Sequence, residues 1–232
     1  MKSIRLLLLP AVLLLNACSV LYAPMAPNIP LMEGRNELQI EVGIASDGAS
    51  FKTAYSPVNH LAIQVNGHSG FVHGDRWEIS GALGGYIVLA DIVHMELYGG
   101  YSYANVDFAQ SAPDPAYNPL LSASGYYHKP YGQFDVGLSS KSKKFYGGFC
   151  FRASYMDFYF TAAHNRAYSY QEGTHDYGMI YDPYAFINFR IFYNLSMSLY
   201  AGVTIARHDI MMKDYFVIGT GLRVTLFSKK TL

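Results

Sequence analysis

The sequence predicts an all-β fold: an antiparallel up-and-down transmembrane β-barrel of about ten strands, with eight as the alternative count. Three observations carry this expectation. Charged residues are 15% of the chain and aromatics 16%, against roughly 25% charge in ordinary soluble domains. From Asn36 onward, apolar and polar residues alternate with the period-two repeat of a strand that has one apolar face. The connections between these segments are mostly tight and long by turns, as when short turns face the periplasm and long loops face outward. The formal net charge is zero, which gives no electrostatic footprint for nucleic acid.

Read in order, the segments are 36–46, 50–56, 60–70, 76–89, 92–105, 127–140, 144–162, 181–193, 195–207 and 215–228. Most are near the roughly 9–11 residues of a tilted membrane strand. The short 50–56 leaves the count of eight open. In the first segment Leu38, Ile40, Val42 and Ile44 alternate with Glu37, Gln39 and Glu41. Further on, Val93, Met95 and Leu97 alternate with His94, Glu96 and Tyr98, and Phe149 and Phe151 with Gly148, Cys150 and Arg152. In the last two segments Leu199, Val203, Ile218 and Leu222 share a side, opposite Ser198, Tyr200, Gly221 and Arg223.

Tight connections fall near 57–59, 90–91, 141–143 and 193–194; longer ones fall near 71–75, 106–126, 163–180 and 208–214, with the short 47–49 as the exception. An even strand number puts both chain ends on the tight-turn side. Tyr101, Tyr103, Tyr126, Tyr155 and Tyr181 sit near the long-loop ends, and Tyr55, Phe145, Tyr193 and Phe227 near the tight ends. Two interfacial aromatic girdles are expected. The run ending at Phe227 resembles the C-terminal strand signal of outer-membrane barrels.

Alternation does not decide which face looks outward. A soluble lipocalin-like barrel would bury the apolar face, but the polar face here is Gly, Ser, Tyr and isolated charges, a poor soluble surface. Lipid is therefore expected outside. The charges Glu41, Lys52, Glu78, Glu96, Asp135, Arg152, Arg190 and Arg223 then line the lumen, where they need partners or water. The acids lie on the first six segments and the arginines on the last four, so the two groups are placed to meet across the interior. A lumen closed by salt bridges is the expectation, with a narrow charged channel as the alternative.

The N-terminus has its own pattern. Lys2 and Arg5 precede an apolar run from Leu6 to Leu15, about ten residues and too short to cross a bilayer, which takes about 20. It ends in Leu15-Asn16-Ala17-Cys18, which resembles the lipobox read by the lipoprotein signal peptidase. Residues 1–17 are expected to be a signal peptide, Cys18 the lipidated first residue of the mature chain, 18–35 an extended tether and 36–232 the barrel. No acidic run follows Ser19, the run that marks export to the cell surface in some bacterial lipoproteins, so the resemblance implies an anchor in the periplasmic leaflet. Beyond the acyl chains on Cys18, palmitate among them, no cofactor is expected. Cys150 is the one other cysteine, so no disulfide framework or thiolate metal site is expected.

The histidines His68, His73, His128, His164, His175 and His208 fall at the long-loop ends, with the adjacent pairs His175-Asp176 and His208-Asp209. They are the basis of an enzymatic alternative, a rim-sited hydrolase or acyltransferase. No nucleophile motif or metal spacing accompanies them, and a non-enzymatic protein is the expectation. Loops 106–126 and 163–180 carry Tyr117, Tyr126, Tyr168, Tyr170 and Tyr177 among small polar residues, a composition suited to contact surfaces. An envelope protein partner is expected there, with outer-membrane lipids around the wall.

Tyr22-x-Pro24, Asn28-Ile29-Pro30-Leu31 and Glu37, followed by Ala54-Tyr55-Ser56-Pro57-Val58-Asn59-His60-Leu61, resemble the small outer-membrane β-barrel lipoproteins of the Bacteroidota. The resemblance covers about residues 15–65 by motif and implies a barrel in the outer membrane. It implies no activity or catalytic residue.

Overall fold

A computed structural model describes residues 25–70, 74–109, 120–165, 169–170, 173–207 and 215–226. Cys18 and the signal peptide, His73, His208, Asp209, Tyr117, Tyr168 and Phe227 lie outside the described residues. The strands are β1 (Glu37–Ala45), β2 (Gly48–Val58), β3 (Leu61–Gly70), β4 (Gly74–Leu89), β5 (Val93–Ala109), β6 (Leu120–Ser139), β7 (Phe145–Asn165), β8 (Ser169–Tyr170), β9 (His175–Arg190), β10 (Leu195–Arg207) and β11 (Tyr215–Leu226). All pairings among them are antiparallel, and β1–β11 and β6–β7 complete the ring. The two-residue β8 is only an addition to the edge of β7. Among the described residues, the closed barrel therefore has ten strands.

The count is ten because the segment expected at 50–56 is a full strand. Pro57 has no N–H to give to the ladder, and the register with β3 shifts between Tyr55 and Val58 to accommodate it. At the other end of β2, a Cβ on Gly48 would lie 2.3 Å from the Ser69 carbonyl oxygen, so only glycine lets β2 leave its turn this close to β3.

The faces are now assigned. Leu97 is 64% exposed and Phe149 is 67% exposed, while Tyr98 and Cys150 beside them are buried. Apolar side chains cover the outside and the polar set faces in, the arrangement of a barrel solvated by lipid. An arginine in place of Leu97 should cost about 2–4 kcal/mol if that site faces the bilayer mid-plane. Urea unfolding of Leu97→Arg in lipid vesicles measures this, and a cost near zero would mean that water bathes the outer face.

Four strands run three or more residues further outward than expected. β5 continues to Ala109, β6 starts at Leu120, β7 ends at Asn165 and β9 starts at His175, so parts of 106–126 and 163–180 are wall rather than loop. The apolar alternation stops at the membrane boundary, but backbone pairing needs no apolar face. On the outer surface Ser124 Oγ donates to Asp107 Oδ1 at 2.8 Å, a contact suited to water. β9 is shorter than expected at its inner end, because Ile191 and Phe192 donate their amides back to the Leu195 carbonyl and form a turn.

An aromatic belt rings this taller side. Trp77 and Tyr103 have centroids 5.6 Å apart, Tyr103 and Tyr126 6.1 Å, Tyr126 and Tyr159 5.0 Å, and Tyr159 and His175 5.0 Å. Each step crosses to the next barrel strand. Tyr155 stacks on Tyr177 just below the belt, and Tyr181 on Phe151. At the opposite end Phe145 meets Phe189 edge-on at 5.3 Å, and Tyr55 and Tyr193 are exposed at that same end of the barrel.

Candidate functional site

The inward charges pair along the wall. Glu41 lies opposite Lys52 on one side and Arg223 on the other in the β2–β1–β11 ladders. Strand parity therefore places all three on the inner face. Glu41 Oε1 is 3.2 Å from Lys52 Nζ, and Glu41 Oε2 is 2.7 Å from Arg223 Nη2. Lys52 Nζ also sits 4.4 Å from the centre of the Tyr200 ring. On the facing wall Lys129 Nζ is 2.8 Å from Glu78, which also accepts from Tyr127 Oη at 2.7 Å. Arg152 and Asp182 are register partners 3.1 Å apart, and Thr204 Oγ1 donates to the same aspartate. Near the outer end Asp47 is 3.2 Å from His68 and 3.9 Å from Arg76.

The sequence expectation placed acids and arginines to meet across the interior. Glu41 with Arg223 and Arg152 with Asp182 meet instead between neighbouring strands, while Glu78 and Lys129 meet past the intervening β5, and β1 meets β11 because that is where the ring closes. Arg190 lies at the inner mouth and donates to Tyr146 Oη at 3.0 Å. Asp135 accepts from Gln133 at 2.8 Å. Lys129 and Asp182 were missed, although parity with Gln133 and Tyr184 marks both as inward-facing.

The centre of the lumen is filled by the chain itself. The tether expected over 18–35 is, over its described part, an extended segment inside the barrel. Met25, Ala26, Asn28, Ile29, Leu31 and Met32 are each 5% exposed or less. Pro27 and Pro30 suit this position, because a lone extended chain has no ladder to satisfy its amides and proline has none. The wall serves the remaining polar groups. Arg152 donates to the Met25 carbonyl at 2.5 Å, Gln133 to that of Asn28 at 2.7 Å and Arg223 to that of Pro30 at 3.2 Å. The Asn28 side chain donates in turn to the Thr53 carbonyl at 3.0 Å. Apolar contacts complete the fit: Met32 packs among Ala54, Ala62, Ala82 and Tyr98, and Leu31 lies against Gly137.

Glu96 is the main latch. Its carboxylate accepts the amides of Leu31 at 3.2 Å and Met32 at 2.7 Å. Leu31 has φ of +52°, a left-handed conformation that turns two successive amides toward one carboxyl group. That backbone costs about 1–3 kcal/mol unless its surroundings hold it. In Glu96→Gln an NH2 group replaces one of the two carboxyl oxygens that accept from the Leu31 and Met32 amides, and it has no lone pair to offer an N–H donor. The expected loss is about 1–3 kcal/mol of segment docking, read as faster proteolysis or hydrogen exchange of residues 25–33 in the folded barrel. Unchanged exchange would contradict the latch. At the inner mouth Tyr146 Oη donates to Glu33 at 2.7 Å, and Lys143 Nζ lies 3.4 Å from the same carboxylate.

The histidines are dispersed. His175 is exposed and lies 3.0 Å from Asp157 on the neighbouring strand, while Asp176 points inward and is buried. The sequence-adjacent pair is therefore not a spatial pair. His128 Nδ1 meets Tyr101 Oη at 2.5 Å on the outer surface, and His68 faces Asp47 inside. Among the described residues, no cluster of three His, Cys, Asp or Glu is placed to hold a metal.

A closed antiparallel barrel with an apolar outside, an outer aromatic belt and a charged inside is a β-barrel of the outer-membrane type. Among solved structures, the chain is similar to the N-terminal β-barrel domain of Pseudomonas aeruginosa OprF, with 7% identity, TM-score 0.41, and 84% of this chain and 100% of that one covered. It is also similar to the translocator domain of the autotransporter NalP from Neisseria meningitidis (11% identity, TM-score 0.42, 82% and 85% covered) and to the KdgM porin (9%, 0.37, 81% and 98%). No protein-family model and no curated protein matches the chain. The assignment of class rests on the strand pairing and the two faces.

Proposed function

We propose that this chain is a non-enzymatic outer-membrane lipoprotein, a structural or accessory barrel closed by its own N-terminal segment. The observation that carries the reading is the burial of residues 25–32 along the lumen axis. A channel needs a free path, and here the path holds a chain hydrogen-bonded to β2, β5, β6, β7 and β11. The wall itself supplies the outward-facing feature. β5, β6, β7 and β9 carry the connections 110–119 and 166–174 toward an envelope protein partner.

Planar-bilayer recording of the purified protein tests closure: no steady conductance is expected, and reproducible open steps would favour a channel. A photo-crosslinker at Thr161, exposed on the outer part of β7, tests the partner in whole cells. One recurrent adduct is expected. Absence of any adduct at Thr161 and at Ser124 alike would count against an accessory role.

A further inference from the structure

The filling segment has a direction. Glu33 contacts Tyr146, the second residue of β7. Leu31 and Met32 contact Glu96, the fourth residue of β5, and Pro30 contacts Arg223, fourth from the inner end of β11. Asn28 contacts Gln133, seventh from the inner end of β6, and Met25 contacts Arg152, the eighth residue of β7. Read backward from β1, each contact lies no lower on the wall than the one before, so the chain climbs from the periplasmic mouth to the upper lumen. The residues before Met25 therefore start from a point well above that mouth.

An anchor in the periplasmic leaflet would require the chain to reverse there and descend beside itself. Side chains alone fill an eight-stranded barrel; ten strands add room for one extended chain, and that room is taken. The upward route is short enough. The seven residues from Cys18 to Met25 span up to roughly 23 Å when extended. Tyr159 of the outer belt stands seven residues above Arg152 on β7, about 18 Å along the axis for a strand tilted about 40°. The rim is also uneven. β1 has 9 residues, while β6 and β7 have 20 and 21, so the turn between β1 and β2 forms a low lip.

We propose that the mature N-terminus leaves through the outer mouth over this lip, so that the acyl chains on Cys18 enter the outer leaflet of the membrane that the barrel spans. The inference rests on the lipoprotein reading of Cys18 and reverses the leaflet expected from the missing acidic run. Acyl chains do not pass a filled lumen, so the segment is enclosed when β1 meets β11 at the end of assembly.

The test is a Val20→Cys variant of the full chain, treated on intact cells with a membrane-impermeant maleimide. Cys150 is buried, and a lipidated Cys18 has no free thiol. Ser111→Cys, in the connection between β5 and β6, serves as the outward control, and Ser142→Cys, in the turn between β6 and β7, as the inward one. Labelling of Val20→Cys within twofold of the Ser111 control is the expected result. Labelling only after the outer membrane is permeabilised, as for Ser142→Cys, would overturn the route. An epitope inserted between Val20 and Leu21 and read by antibody on intact cells gives the same answer if the cysteine variant fails to assemble. Incorporation of an alkyne fatty acid, lost in Cys18→Ser, is measured in parallel. A surface-labelled but unlipidated chain would overturn the lipoprotein reading alone, and a lipidated chain labelled from the periplasm would overturn the route alone.

Discussion

Deleting residues 25–33 should turn a silent barrel into a conducting one. The wall does not depend on the segment for its closure, because the ladders from β1 round to β11 are all backbone pairs between strands. The wall ion pairs Glu41–Lys52, Glu78–Lys129 and Arg152–Asp182 also persist without it. What disappears is the occupant of the axis, together with the hydrogen bonds that Glu96, Gln133, Arg152 and Arg223 make to it. Water enters and hydrates those groups, so the deletion should cost less than the bonds taken singly at about 1 kcal/mol each. The expected result is discrete conductance steps in planar bilayers from a protein whose gel mobility still shifts on heating. A folded deletion variant that stays silent would mean that side chains alone seal the lumen.

The largest single-residue effect is expected at Glu41. Glu41→Ala leaves Lys52 and Arg223 buried with their shared counter-charge removed. Breaking a buried pair from one side costs about 3–5 kcal/mol, whereas replacing the whole set by apolar residues of similar volume is often neutral. Glu41→Ala should therefore lower the urea midpoint in vesicles sharply, and the triple change Glu41→Leu, Lys52→Met, Arg223→Met should recover most of the loss. The same Glu41→Ala change in the segment-deleted barrel should cost less, because water then reaches both cations. Equal costs in the two backgrounds would mean that the lumen is already wet around Glu41.

The strands were legible in the sequence because alternation is local. Leu38 to Ile44 against Glu37 to Glu41 reports a two-faced strand with no knowledge of its neighbours. The same is true of Leu195 to Ile205 and of Phe216 to Leu226. The outer extensions of β5, β6, β7 and β9 were not legible as strand. Their exterior residues, such as Asp107 and Ser124, lie above the bilayer and lose the apolar half of the pattern while the ladder continues.

The site was legible in part. Parity marked Glu41, Lys52, Arg152 and Arg223 as inward. Their pairing depends on register and on which strands close the ring, and one segment at a time reveals neither. The burial of the N-terminal segment in the lumen was not legible, for a physical reason. Prolines without periodicity read as an extended tether, and an extended chain hydrogen-bonded to five strands leaves no periodic trace of its own. One signal was present: a solvated tether has no use for Met25, Ile29, Leu31 and Met32, and four apolar side chains in so short a stretch indicate a surface to cover.

The central claim is that residues 25–33 lie inside the wall, and cross-linking tests it most directly. A Cβ built on Gly137 would lie 3.4 Å from Leu31 Cγ, the place a cysteine sulfur takes at position 31, so a sulfur on each residue is within reach of the other. In a Cys150→Ser background, Leu31→Cys with Gly137→Cys should form a disulfide on mild oxidation in the intact outer membrane, seen as a mobility shift on non-reducing gels that reductant abolishes. Two free thiols that instead react with a maleimide in the folded barrel would contradict the account.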